Sequence, residues 1–490
     1  MKKIILHILL SFILLSSCTD EQYERFNINP NEPTTTSSGS LFVSATKSLV
    51  NQMTSLDVNE NHYRFMAQYV AQRNFASESN FDLVNRSVPL NHWSEMYRDV
   101  LLDLQDAKTK IVEENLDAGI TANRNALIEI LSVYTWQQMV DTFGDIPYTN
   151  ALLGIENIQP TYEDAETIYN DLFVRLNAAI NSLDPSVSFS GESAFGDSDI
   201  IYGDDITSWT KFANSLKLRL AIRVVEFPAM ETLAQTSIQE AVASGVFTSN
   251  ADNFSLTYEA TPPNTNPMWE TLVESGRPPD YFPSNTIVDY MNTLDDPRRS
   301  VYFRDNITDG SGDVIYVGGI YGTTNSIDVT TRLNETFREP TFRGVLLDYS
   351  EVSFMLAQAT ELGISVGGDA ATHYSNGITA NMQDWGVDQA DITSYISQTD
   401  VAYATAPGTW KEKLGLQYWL AMYNRGFEGW TVWRQLDAPA LNIPVDTSTP
   451  VPVRYTYPVE EQLLNSDNYT SASTAIGGDT QQTKIFWDVN

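Results

Sequence analysis

The 490-residue chain is poor in the residues from which most active sites are built. It has a single cysteine, Cys18, so no internal disulfide can form and a Cys/His nucleophile has no thiol to use. Its four histidines, His7, His62, His92 and His373, lie far apart, and no HExxH, GxSxG or phosphate-cradling GxxxxGK[ST] stretch occurs. Basic residues are scarce, 29 Lys and Arg against 63 Asp and Glu, giving a formal charge of −34. Such a surface repels nucleic-acid phosphates and anionic lipid alike. No run of eighteen apolar residues occurs anywhere, which leaves no segment reading as a membrane-spanning helix. With 42% apolar and 11% aromatic residues, the chain nonetheless has the means to fold around a substantial core.

What is present begins at the N-terminus. Lys2 and Lys3 precede an apolar stretch from Ile4 to Leu15, then Leu15-Ser16-Ser17-Cys18. A short basic start, a twelve-residue stretch that is apolar apart from His7 and Ser11, and small residues before a cysteine resemble a bacterial lipoprotein signal. Residues 1–17 are therefore expected to be removed, with Cys18 becoming a lipidated N-terminus (palmitate among its acyl groups) that holds the protein on a membrane. Residues 18–40, rich in Asn, Pro, Thr and Ser, read as a tether.

From there the chain reads as helical. Trp93, Met96, Tyr97, Val100, Leu104 and Ile111 recur at steps of three and four, with Asn91 placed as N-cap. A second helix spans about Arg124 to Val140 and stops before Gly144-Asp145-Ile146-Pro147. A third carries Ile168, Leu172 and Leu176, with Thr161 and Asp164 spaced as a capping box. A fourth runs from Trp209 to Val224 and bears Lys211, Lys217, Arg219 and Arg223, expected to be solvated or paired with carboxylates. Further helical faces are centred on Val352–Leu362, Ala371–Met382 and Trp410–Met422. Between about 247 and 345 prolines interrupt any long helix, and Val314 to Val317 reads as a short strand.

Several stretches together resemble the SusD/RagB family of nutrient-binding outer-membrane lipoproteins. They are the cysteine signal followed by Asn27-Ile28-Asn29-Pro30-Asn31, Phe143-Gly144-Asp145-Ile146-Pro147-Tyr148, Trp209 to Arg219, Asn266-Pro267-Met268 and Asp296-Pro297-Arg298. Phe354 to Ala359, Glu428-Gly429-Trp430 with Trp433-Arg434, and Pro452 to Pro458 complete the series in order. Gln358 and Gln435 depart from it, standing where glutamate and arginine are commoner. The resemblance implies a mostly α-helical body, residues 41–490, of paired antiparallel, tetratricopeptide-like helices with an irregular ligand-binding region and at most a few short strands. It implies an outer-membrane location facing outward, and a SusC-like TonB-dependent transporter as partner. It implies no catalysis.

Ligand candidates follow from the aromatics. Those at helical spacing belong to the core, whereas Trp269, Tyr281, Phe282 and Tyr321 stand in proline-broken sequence, with Asn266 and Arg277 as polar neighbours. Phe75 and Phe81, in an Asn/Ser/Arg-rich stretch, form a second group. The expected ligand is an oligosaccharide or a peptide, held by ring stacking and a few polar groups. No cofactor or metal is assigned: Asp305 to Asp313 crowds oxygen ligands, but Ile307 occupies a calcium-loop ligand position and no bidentate glutamate follows. Two alternatives stand beside capture. One is a lipid-anchored all-α glycosidase, for which Asp141 and Asp145 are an example of a carboxylate pair. The other is a structural surface protein without a pocket.

Overall fold

The computed structural model describes residues 36–276 and 280–489; Cys18, the signal and most of the tether lie outside them, as does Arg277. The first helix, α1 (Ser38–Thr54), starts inside the expected tether, because Ser37 caps it by accepting from Ser40 N. Its first residue is also pinned: Ser38 N and Oγ both donate to Glu114, which pairs with Arg124.

Next comes a rod made of α2 (Val88–Ser94), a π-helical stretch (Glu95–Leu101) and α3 (Leu102–Glu114), packed along α1. The rod begins at Val88 behind Ser87, not at Asn91, whose side-chain amide donates instead to the carbonyls of Asn59 and Arg86. α4 (Ala118–Phe143) packs on α5 (Ala165–Ser182), and α6 (Ile206–Val224) on α7 (Glu231–Ser244). After α8 (Asn285–Thr293), α9 (Tyr349–Glu361) pairs with α10 (Ala370–Asp384), and α11 (Trp410–Ala421) with α12 (Gly426–Leu436). The body is thus mostly α, a succession of helix pairs, as the resemblance implies.

The helices begin where short acceptor side chains can take up otherwise unpaired amides. Asp117, Asp164, Asp205, Asp348 and Asp369 each cap one, and Thr409 with Glu412 forms a capping box at α11. Asp164 caps α5 by itself, accepting from Thr167 N at 3.0 Å, so Thr161 has no part in it. Gly144, at φ +82°, ends α4 as its sequence requires.

The basic residues of α6 are paired rather than solvated. Arg219 makes two 2.7 Å bonds to Glu351 of α9, and Arg223 reaches Asp141 of α4 and Glu428 of α12 at 3.1 Å. All five side chains are buried, so four helices meet around charge rather than around hydrocarbon alone.

The middle region is more ordered than its prolines imply. It supplies strands to two of the three two-stranded antiparallel pairs, β1 (Val70–Gln72) with β5 (Tyr281–Pro283) and β4 (Phe254–Leu256) with β6 (Gly344–Leu347), while β2 (Ile146–Pro147) pairs with β3 (Tyr162–Glu163) outside it. The strand expected at 314–317 is absent; Val314 makes one isolated bridge to Thr308. In the acidic turn, Asp309 accepts from the Ser311 and Asp313 amides, so its carboxylate is spent on the loop itself.

Candidate functional site

A cleft of about 550 Å³ opens where three segments converge. One is the turn after α1, Ser55 to Glu60; another is the stretch after β1, with Phe75 and Arg86; the third is Pro267 to Ser275 together with Asp280 and Tyr281.

Each wall is built rigidly. Asp57 Oδ1 accepts from the Asn59 amide at 2.8 Å and from the Asn59 side chain at 2.7 Å, an Asx turn that fixes the first rim. The second wall rests on buried Glu78, which takes bonds from Gln72 and Arg86, while Gln72 Oε1 accepts from Ser79 N at 3.2 Å. Burial works against the Glu78 carboxylate, but those donors more than offset it and hold its pKa below the usual range. In the third wall a π-helical turn, Glu270–Glu274, places Glu270, Thr271 and Leu272 on the cleft. Such turns recur at functional sites because they displace side chains from a regular helical ladder. Antiparallel β1–β5 pairing, with Gln72 opposite Tyr281, joins the second wall to the third.

The cleft is acidic, with Asp57, Glu60, Glu270 and Asp280 facing one arginine, Arg86. Burial pushes the Glu60 carboxyl up, and the charges of Asp57 and Glu270 push it further, against a bond from Ser55. Burial also raises the Tyr281 phenol, which stays neutral.

The structure brings two of the expected ligand residues together here, Phe75 and Tyr281. Phe75 is 68% exposed, so its ring is open to solvent on the cleft. Trp269 is half-buried in the short helix Pro267–Trp269, whose Pro267 lines the cleft while Trp269 does not. The other candidates in the described residues are packing residues, which corrects the expectation that proline-broken sequence leaves its rings accessible. Phe282 is fully buried, since neighbours along a strand point to opposite faces and Tyr281 takes the cleft side. Tyr321 is buried with its hydroxyl donating to the Phe65 carbonyl, and Phe81 packs against it at 5.9 Å. Asn266 is buried as the N-cap of the short helix, accepting from Met268 N at 2.7 Å. Asp141 and Asp145 lie away from the cleft, Asp141 inside the charged core and Asp145 bonded to the Ala165 amide. Arg86, Glu60 and Glu270 were not singled out in the sequence; only the Asp57-Val58-Asn59 turn carried a local signal.

No helix among the described residues is long and apolar enough to cross a membrane. The sequence matches the SusD-like family model, described as starch-binding and associating with the outer membrane, over residues 30–458. The chain belongs to that family. Solved structures share the fold: a chitin-binding protein at TM-score 0.80 and 24% identity covers 92% of this chain and 100% of its own. A chitin-binding SusD homologue of Flavobacterium johnsoniae stands at 0.76 and 24%, with coverage of 92% and 99%. A SusD homologue of Bacteroides thetaiotaomicron stands at 0.76 and 21%, with 93% and 100%. No curated protein sequence matches the chain.

Proposed function

We propose that this protein is an outer-membrane lipoprotein that captures an oligosaccharide in the Phe75–Tyr281 cleft and passes it to a SusC-like TonB-dependent transporter. The observation that carries the reading is Phe75, an exposed ring at the mouth of a cleft lined by polar side chains and a tyrosine. A sugar ring presents C–H faces that pack on such an aromatic, and carboxylates and amides accept or donate to its hydroxyls. The chitin-binding relatives support a saccharide over a peptide. Anchoring through Cys18 completes the reading, and Cys18→Ser is expected to move the protein from the membrane to the soluble fraction.

Calorimetry with chitotetraose and maltotetraose tests capture. Saturable heat, ligand recovered intact, and about tenfold weaker binding by Phe75→Ala are expected, on the order of 1–2 kcal/mol for one apolar ring face. Failure of every saccharide to bind would remove the reading, and a transporter barrel absent from detergent pull-downs would remove the delivery step.

A second reading draws on Glu60. A carboxyl raised by burial, beside Asp57 and Glu270, is the kind of asymmetry that acid–base hydrolysis uses. Shortened oligosaccharide after incubation, lost on Glu60→Gln, would turn the protein into a glycosidase.

A further inference from the structure

Tyr281 and Leu272 have a second side. They also line a smaller cavity of about 300 Å³, whose other walls include Arg304, Arg332, Arg338 and Glu335. In a chain carrying −34, three arginines against one glutamate is an inversion of the prevailing charge.

The arginines are incompletely used. Arg304 and Arg338 share Glu335, at 2.5 and 3.4 Å. Glu335 and Arg304 are about half exposed, so their pairing is weak and readily exchanged. Arg338 also donates from Nη1 to the Leu272 carbonyl at 2.9 Å, which holds its guanidinium beside the π-helical turn. Arg332 forms no ion pair among the described residues, and its Nε is buried with no hydrogen-bond partner. Its backbone is nevertheless fixed, with its amide donating to Asn306 Oδ1 and its carbonyl accepting from Arg304 N, both at 2.9 Å. An unpartnered guanidinium N–H on a half-buried side chain that lines the cavity is a group in want of an acceptor. Planar guanidinium forks match carboxylate and sulfate oxygens in pairs.

We propose that this cavity is an anion subsite and that the saccharide captured by this protein carries a carboxylate or sulfate at the end that enters it. The inference rests on the capture reading above and adds the substrate's charge and orientation. The charged sugar sits among Arg304, Arg332 and Arg338, and neutral residues run past Tyr281 toward Phe75. The acidic main cleft, with Asp57, Glu60, Glu270 and Asp280, disfavours a ligand charged along its whole length.

The test compares one tetrasaccharide of N-acetylglucosamine residues ending in a glucuronic acid with the same molecule carboxyl-reduced to glucose, by calorimetry on the full chain. A third titrant is the matching sulfate ester, and sodium sulfate alone is the fourth. The expected result is at least about tenfold tighter binding of the acidic forms, diminishing with added salt. Arg332→Gln should erase that preference while leaving the neutral ligand's affinity in place. Glu335→Gln, which frees two arginines, should strengthen acidic binding, an effect that misfolding cannot produce. Equal binding of acidic and neutral forms overturns the anion subsite and leaves glycan capture standing. Sulfate binding as tightly as the acidic saccharide overturns the saccharide part. No saccharide binding at all removes the capture reading itself.

Discussion

Gln72 and Tyr281 face each other across the antiparallel β1–β5 pair, and through them two chain segments about 200 residues apart become the two sides of one cleft. Gln72 is tied to Glu78 and Ser79, so the pairing carries the geometry of the Phe75 stretch into the position of Tyr281.

Glu78→Gln is expected to leave Arg86 without its carboxylate and to loosen the wall behind Phe75. Its native pKa lies below the usual range, so ionised Glu78 contributes to stability, and that contribution is lost as pH falls through its native value. A loss of about 1–3 kcal/mol in urea unfolding at pH 7 and a several-fold weaker saccharide affinity are expected. Unchanged affinity would separate this wall from the ligand.

Arg219→Met should be far costlier. It removes two bonds to Glu351 and the 3.3 Å contact to Glu428, leaving buried carboxylates short of countercharge. Breaking one side of such a buried pair typically costs about 3–5 kcal/mol, which denaturant unfolding measures directly. A loss under about 1 kcal/mol would show that Arg425, which also pairs with Glu351, and Arg223, which pairs with Glu428, suffice.

Gly429→Ala is expected to destabilise α12 by about 1–3 kcal/mol. A Cβ there would sit 2.0 Å from the Tyr69 hydroxyl and 2.5 Å from its Cζ. Because the ring carbon is in the way as well as the oxygen, Tyr69→Phe should not rescue it. A thermal melt of the double variant decides this, and full recovery would contradict the contact.

Two histidines should resist protonation. Burial, the largest influence, lowers His62 to about 4 and His92 to about 3, against an upward pull from the Val58 carbonyl on His62 and from Gln138 on His92. An unfolded histidine titrates near 6.5, so below that pH the unfolded chain takes up protons that the native protein refuses. Each should therefore remove up to about 1.4 kcal/mol of stability per pH unit as pH falls from 6.5 toward 4, and neither should matter above 7. Ring NMR titration checks it; a midpoint near 6.5 for either would refute the burial.

Gln358→Met should stabilise the protein. The Gln358 side chain is fully buried in α9 and neither amide atom has a hydrogen-bond partner among the described residues. Replacing it with an apolar side chain of similar length removes that penalty, worth about 1–3 kcal/mol, and should raise Tm. A fall in Tm would mean the amide is satisfied in solution.

The helical body was legible because its periodicity and caps are local properties. Leu172, Leu176 and Asp164 declare α5 within a dozen residues, and Gly144 ends α4 through its own backbone. α7 escaped because Gln235 and Thr236 weaken its stripe, and α12, though amphipathic, because Gly426 and Gly429 are poor helix formers at its start. The site was half legible. Phe75 and Tyr281 could be guessed as aromatic, but whether a ring faces core or cleft depends on strand pairing, which sends Phe282 one way and Tyr281 the other. Arg332 gave no signal at all, since an arginine in a polar loop acquires meaning only when two more arrive beside it.

The joining of distant segments at β1 and β5 bears on how the molecule comes apart. A ligand that touched both Phe75 and Tyr281 would span that seam and add its binding free energy to the closed form. A bound saccharide is therefore expected to slow proteolysis in proportion to its occupancy, which makes protease resistance a second readout of binding.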